Sequence, residues 1–214
     1  MERWWQPSLF GSGGPVSFRT LTGLLGCVDL GAGAWVALFP SWVVGHDVLF
    51  EELIGVVPWR AERRQMYHRE VEVPRLVAHY RADQRPPHAR VAEAGRLLGD
   101  YFRHDPAGPF RSVGLCLYRD GNDSVAWHGD RIGRGVAPTL VAIVSLGCRR
   151  RLLLRPKGGG RSLHYDLGEG DLMVMGGLCQ HSWEHALPKR TRVTGPRISV
   201  QFRTAATLVP PPNR

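Results

Sequence analysis

Seven residues near the end of the chain, Arg197-Ile198-Ser199-Val200-Gln201-Phe202-Arg203, constrain the fold more than any other stretch. Polar and apolar residues alternate without a break, which is the period of a β-strand, where residues two apart share a face. Ile198, Val200 and Phe202 then look one way and Arg197, Ser199, Gln201 and Arg203 the other. Two arginines on one inward face need an acidic partner, because an unpaired buried guanidinium is costly. A dicarboxylate ligand would supply that partner, held by charge-assisted hydrogen bonds.

The strand has company. After Pro109 the texture is one of short β candidates: Val113–Tyr118, Leu140–Leu146, Arg151–Leu154, Leu163–Leu167, Asp171–Met175 and Arg197–Phe202. Glycine-rich turns separate several of them, notably Gly158-Gly159-Gly160. Ahead of Pro109 the clearest element is a helix, with Val91, Ala94, Leu97, Leu98, Tyr101 and Phe102 at helical spacing. Gly31–Val44 reads as strand broken at Pro40, and Asp47 is placed to cap a short helix ending before Pro58. Trp59–Tyr80 reads as strand or loop. Many short strands with helical support predict an α+β, mainly β chain: a double-sheet jelly roll in one domain. Its expected parts are a loosely ordered arm over 1–15, a recognition and support region over 31–104, and a catalytic core over 110–207.

Within that core, Trp127-His128-Gly129-Asp130 would set an imidazole and a carboxylate side by side on a strand. One more histidine would complete two histidines and a carboxylate on one face of a metal, the facial triad of non-haem iron(II) oxygenases. H-x-D alone is weak, since a glycine between the two favours a surface bend. The additional histidine is His181 or His185. Both also belong to His181-Ser182-Trp183-Glu184-His185, an H-x-x-E-H string that binds zinc when it lies on a helix. Gly176-Gly177 upstream and Pro188 downstream disfavour a helix there.

Taken together, Leu117-Tyr118-Arg119-Asp120-Gly121, the H-x-D, the later histidine and the R-x-x-x-x-x-R resemble the AlkB-type iron(II)/2-oxoglutarate-dependent dioxygenases, in that family's order. The likeness is good from about Gly114 to Arg203 and weaker from Pro40 to Asp100. It implies a double-stranded β-helix with an N-terminal substrate-recognition extension. It selects His185, ahead of Ala186-Leu187-Pro188, as the third ligand beside His128 and Asp130, and leaves His181 a solvated or supporting place. It implies that Arg197 takes the distal carboxylate of 2-oxoglutarate with help from Tyr118, that Ser199 lines the pocket, and that Arg203 sits near the metal-bound end. The cofactors implied are Fe(2+), 2-oxoglutarate and O2. The reaction implied is oxidative dealkylation of DNA or RNA bases, releasing succinate, CO2 and formaldehyde. Three positions depart from the family pattern: Cys116 and Ser199 stand where asparagine is usual, and Ile132 where an acid commonly lies near the target base. Tyr67 and Tyr80 are candidates to stack on that base.

Charge bears on the partner. The chain has 28 basic and 19 acidic residues, a net +9, and only Lys157 and Lys189 of the basic set are lysine. Arginine suits phosphate, although an arginine-rich genome gives the same count. Arg149, Arg150, Arg151, Arg155, Lys157 and Arg161 form one run without an acid, and no acid follows Glu184. Arg149, Arg150, Arg151 and Lys157 are therefore candidate substrate contacts, with Arg60–Arg69 as a second wall. Binding to single-stranded or locally opened DNA or RNA is expected. The four cysteines are scattered, and Asp29 and Pro40 interrupt the apolar stretch over 21–44. A cytoplasmic monomer without a membrane span is expected. Two rival readings keep the fold: the same chemistry on a protein, lipid or small molecule, and a catalytically silent nucleic-acid binder.

Overall fold

The computed structural model describes residues 14–23, 26–66, 69–129 and 137–204, the backbone alone over 64–66 and 69–71. Residues 1–13 of the arm expected over 1–15, with Tyr67, Asp130 and Ile132, lie outside the described residues. In chain order come β1 (Ser17–Phe18), β2 (Val28–Gly31), β3 (Ala34–Phe39), β4 (Val43–Val44), helix α1 (His46–Val56), β5 (Arg60–Met66), β6 (Arg69–Arg81) and helix α2 (Ala89–Tyr101). Then follow β7 (Ser112–Tyr118), β8 (Val125–His128), β9 (Val141–Gly147), β10 (Arg150–Pro156), β11 (Leu163–Leu167) and β12 (Asp171–Gly177). A short turn of helix, α3 (Cys179–Ser182), leads into β13 (Trp183–Leu187), and β14 (Arg197–Arg203) closes the described chain.

Two antiparallel sheets carry the molecule. The larger has the order β2-β3-β12-β9-β14-β7-β6-β5, the smaller β11-β10-β13-β8, and β1 pairs with β4 apart from both. β14 lies between β7 and β9, with Arg197 opposite Tyr118 on one side and Gly147 on the other. Its alternation does what the sequence requires. Ile198, Val200 and Phe202 join Trp42, Phe50, Leu53, Leu98 and Leu115 in a core between the large sheet and the two helices. On the opposite face Cys116, Tyr118, Ile143 and Met173 meet Leu152, Leu154 and Leu187 of the small sheet. The second core is the interior of the jelly roll.

α2 sits where its periodicity puts it, burying Val91, Ala94 and Leu98, with the His88 side chain accepting a hydrogen bond from the Arg90 amide at its start. Gly95 brings this helix close to the sheet: a Cβ there would lie 3.1 Å from the Phe202 ring. α1 corrects the expected cap. Gly45 at φ 67 takes the N-cap position with no side-chain bond, and Asp47 falls in the first turn. Only glycine fits there, since a Cβ would stand 2.8 Å from the Gly14 carbonyl.

The region over 31–104 is also more than a support. β3, β5 and β6 supply three of the eight strands of the large sheet and, with β2 just ahead of the region, flank the later strands at both edges. The two segments therefore share one sheet and its hydrogen bonds.

Candidate active site

Two strands of the small sheet bring the histidines together. His128 ends β8 and His185 is its cross-strand partner on β13. Their ring centroids are 4.2 Å apart, tilted by 52°. His128 Nδ1 lies 2.8 Å from the Ala126 carbonyl. A carbonyl only accepts, so Nδ1 carries a proton, and Nε2 is the ring nitrogen that a neutral imidazole would offer to a metal. His185 is buried. Asp130, the third expected ligand, is outside the described residues, and among the described residues no set of three metal-ligating side chains forms. The fit rests on the two imidazoles, whose donor chemistry and spacing suit one iron(II) between them.

His181 goes elsewhere. It lies on α3, and its Nε2 lies 2.9 Å from the Ala137 carbonyl. Since α3 ends at Ser182 and His185 is on a strand, the two histidines do not share a helical face, and the H-x-x-E-H geometry is absent from this segment.

The candidate anion pocket is built on the large sheet facing them. Arg197 is 1% exposed. Its Nη2 donates to Ser145 Oγ at 2.7 Å, its guanidinium lies 5.4 Å from the Tyr118 ring centroid, and its Nε is buried without a partner. Among the described residues it has no carboxylate, and burial holds its pKa below the ordinary arginine value. Burial is also the main reason that the Tyr118 phenol is pushed up to about 12, against the pull of Arg75, Arg197 and Arg150. The phenol therefore keeps its proton at neutral pH and can donate it. A dry cation with an idle N–H beside a phenol donor is a site for a carboxylate.

The sequence reading missed Arg75. On β6 it shares the interior face with Val77, and its guanidinium sits near Tyr118 and hydrogen-bonds Cys116. Its Nη1 donates to the Ser124 carbonyl at 3.3 Å, and its Nε is buried without a partner. No signal short of the β6–β7 register, which sets Leu76 against Leu117, would have placed it there. Around the departures from the family pattern, Gln201 Nε2 reaches Ser199 Oγ at 3.1 Å and Cys116 Sγ at 3.7 Å. Arg203 donates to Gln201 Oε1. Gly114 leaves room for Arg203 Nη1 and His79 Nδ1, which a Cβ would meet at 3.0 and 3.3 Å.

Two substrate candidates, Tyr80 and Arg150, are placed differently from expectation. Tyr80 packs with Leu76 and Ala78 on the helix-side core, so strand alternation turns it away from the interior. Arg150 is withdrawn from the surface at 1% exposure, donating to the carbonyls of Asp120, Asp123 and Pro188 at 2.8, 2.9 and 3.0 Å. Arg151 forms a two-pronged pair with Asp166, both contacts at 2.8 Å, and Arg149 reaches Glu169 at 2.6 Å. Arg155 pairs with Glu184, and Lys157 Nζ donates to the Gln180 carbonyl at 3.1 Å. Arg149, Arg151 and Arg155 of the run without acids in sequence are therefore supplied with acids by the turn before β12, by β11 and by β13.

The sequence matches the 2OG-Fe(II) oxygenase superfamily over residues 46–203. It is 30% identical over 190 residues to alpha-ketoglutarate-dependent dioxygenase alkB homolog 3 of Homo sapiens, covering 79% of this chain and 65% of that protein. It is 25% identical over 220 residues to DNA oxidative demethylase ALKBH2 of Arabidopsis thaliana, covering 82% of this chain and 68% of that protein. The chain thus spans about two thirds of the length of these relatives. Among solved structures, OsALKBH1 superposes with a TM-score of 0.53 at 13% identity, over 83% of this chain and 99% of that one. A prolyl hydroxylase from Trichoplax adhaerens, in complex with a hypoxia inducible factor peptide, gives 0.55 at 12%, over 78% and 82%. Both show the same fold.

Proposed function

We propose that this chain, which belongs to the 2OG-Fe(II) oxygenase superfamily, uses iron(II), 2-oxoglutarate and O2 to remove alkyl groups from nucleic-acid bases. The observation that carries the chemistry is the pairing of two facing half-sites. An opposed histidine pair stands on the small sheet, and on the large one a buried arginine that has no carboxylate among the described residues. His128, His185 and Asp130 would hold the metal. Arg197 and Tyr118 would hold the distal carboxylate of 2-oxoglutarate, with Ser145 fixing the guanidinium and Ser199 and Gln201 lining the pocket. Bound iron and O2 would supply the oxidising power that decarboxylates 2-oxoglutarate to succinate and puts the second oxygen atom on the alkyl carbon. An N-hydroxymethyl base then releases formaldehyde and returns the unmodified base.

The protein's own work is narrower. The Ala126 carbonyl fixes the His128 tautomer, and the apolar lining of Leu152, Leu154, Met173 and Met175 keeps bulk water from the interior. Tyr118 remains a neutral donor.

The substrate class rests on the relatives' names and on the chain's +9 charge, which favours phosphate. An unpaired or damaged base is the easiest to extract, so single-stranded or locally opened DNA or RNA is the proposed partner. Lys157 remains a proposed contact and the exposed Arg161 of the same run joins it, whereas the buried Arg150 does not. The test offers methylated single-stranded DNA with iron(II) and 2-oxoglutarate and measures formaldehyde and succinate together. Equal yields of both are expected. Succinate without formaldehyde would redirect the search to another substrate, and neither product would leave a silent binder.

A further inference from the structure

The two histidines rest on strands of unequal security. β13 lies inside the small sheet, but β8 is its edge strand and, among the described residues, pairs with β13 alone. β8 has four residues, and its register holds only at His128–His185 and Val125–Leu187, with an irregularity between. A ligand has to be held within about 0.5 Å for a metal site to keep its geometry. Two ladder positions with a slip between them are a thin means of doing that.

The outer face of the same sheet carries a second connection. His128, His185 and Leu154 stand in one cross-strand row, so their chain neighbours Trp127, Glu184 and Arg155 alternate to the outside. Arg155 of β10 is directly opposite Glu184 of β13, and both its Nε and its Nη2 lie 2.6 Å from Glu184 Oε1. The same guanidinium continues across β13 to the edge strand, where its carbon sits 4.0 Å from the Trp127 ring centroid. Arg155 and Glu184 side chains are only 30% and 19% exposed, so water screens this contact less than an open surface pair. Each end of the clasp is the immediate neighbour of a histidine: Trp127 precedes His128, and Glu184 precedes His185.

We propose that Arg155 is a positioning residue for the metal, a clasp that holds the edge strand β8 in register on β13 and so fixes the His128–His185 spacing. This rests on reading the two histidines as metal ligands. A stacked, planar guanidinium suits the role because it can grip a carboxylate with its edge and an indole with its face at once. Residues that orient metal ligands from behind typically change metal affinity by about 10–100-fold when removed.

Cobalt(II), titrated into the intact chain and followed by its visible d–d absorption, reads the site without turnover. Arg155→Ala should weaken cobalt binding by at least about tenfold, and Arg155→Lys should recover part of it. Amide exchange should quicken at Trp127 and His128 while β9 and β14 keep wild-type protection. Glu184→Gln, which leaves Arg155 in place but takes its anion away, gives a weaker loss in the same direction and serves if the alanine variant does not fold. Cobalt affinity within about twofold of wild type in a folded variant would overturn the clasp. So would loss of protection spread through β9 and β14, because that marks a merely structural residue. Failure of the wild-type chain to bind cobalt at all would instead overturn the metal reading, and the clasp with it.

Discussion

Three buried or half-buried arginines surround Tyr118, yet their chemistry separates them. Among the described residues both Arg150 and Arg197 leave a buried Nε without a partner, but Arg150 donates to three carbonyls, whereas Arg197 has the hydroxyls of Ser145 and Tyr118 and no carboxylate. Opposite consequences follow for the same substitution. Arg150→Met leaves three carbonyls without their donor and should destabilise the chain by on the order of 3 kcal/mol. Arg197→Met removes an uncompensated buried charge, so the protein without cosubstrate should melt no lower than wild type. It should, however, lose the rise in Tm that 2-oxoglutarate confers on wild type, together with about 1.5–3 kcal/mol of cosubstrate binding. Thermal melts with and without 2-oxoglutarate check both, and a sharply lowered Tm for ligand-free Arg197→Met would sink the anion-pocket assignment. Sequence alternation sufficed to put Arg197 inside, because period two is strict along β14. It could not distinguish Arg150 from Arg149 and Arg151, since which of three successive arginines turns inward depends on the register of β10 with β11 and β13.

At the scale of elements, the strands legible in the sequence are those with enough apolar or β-branched residues to show a period, such as β7, β9, β12 and β14. β8 and β13 are short and carry the candidate site, and the histidine, tryptophan and glutamate in them dilute the pattern. Long-range pairing was equally hidden. β3 comes more than a hundred residues before β12, yet the two align from Phe39–Leu172 to Ala34–Gly177. Gly176 shows how tight that seam is. It stands opposite Trp35, whose ring crosses the glycine at 2.0 Å from where a Cβ would be. The indole is itself stacked on Phe102, with ring centroids 6.4 Å apart, so it has little freedom to retreat. Gly176→Ala should therefore cost about 1–3 kcal/mol by overpacking, read as a lower urea midpoint with unchanged slope. An unaltered midpoint would mean that Trp35 swings clear and that this seam is looser than its geometry states.

The whole molecule carries its positive charge through a network of paired carboxylates, and this fixes its behaviour in acid. Asp123 is buried beneath Arg119, whose Nε and Nη2 both donate to its carboxylate, at 2.8 and 2.9 Å. Burial alone would raise this carboxyl's pKa, but the hydrogen bonds and charge of Arg119, with help from Arg150, hold it below the ordinary value. The partly exposed Asp166 is shifted the same way by Arg151, with a smaller and more salt-sensitive effect on stability. A folded-state pKa below the unfolded one means that the unfolded chain binds protons first as pH falls. The stabilisation is therefore complete above the unfolded aspartate value of about 3.9 and is lost as pH drops through the folded value beneath it. Protonation also strips negative charge from a chain already at +9, so self-repulsion grows over the same range. Urea unfolding from pH 6 down to 3 should show wild-type stability level at first and then falling below about pH 4. Asp123→Asn should be less stable at pH 6, because it gives up the charge-assisted bonds that join the β7–β8 turn to Arg119, and should lose less on acidification. Parallel curves for the two proteins would show that this carboxylate is not what acid attacks.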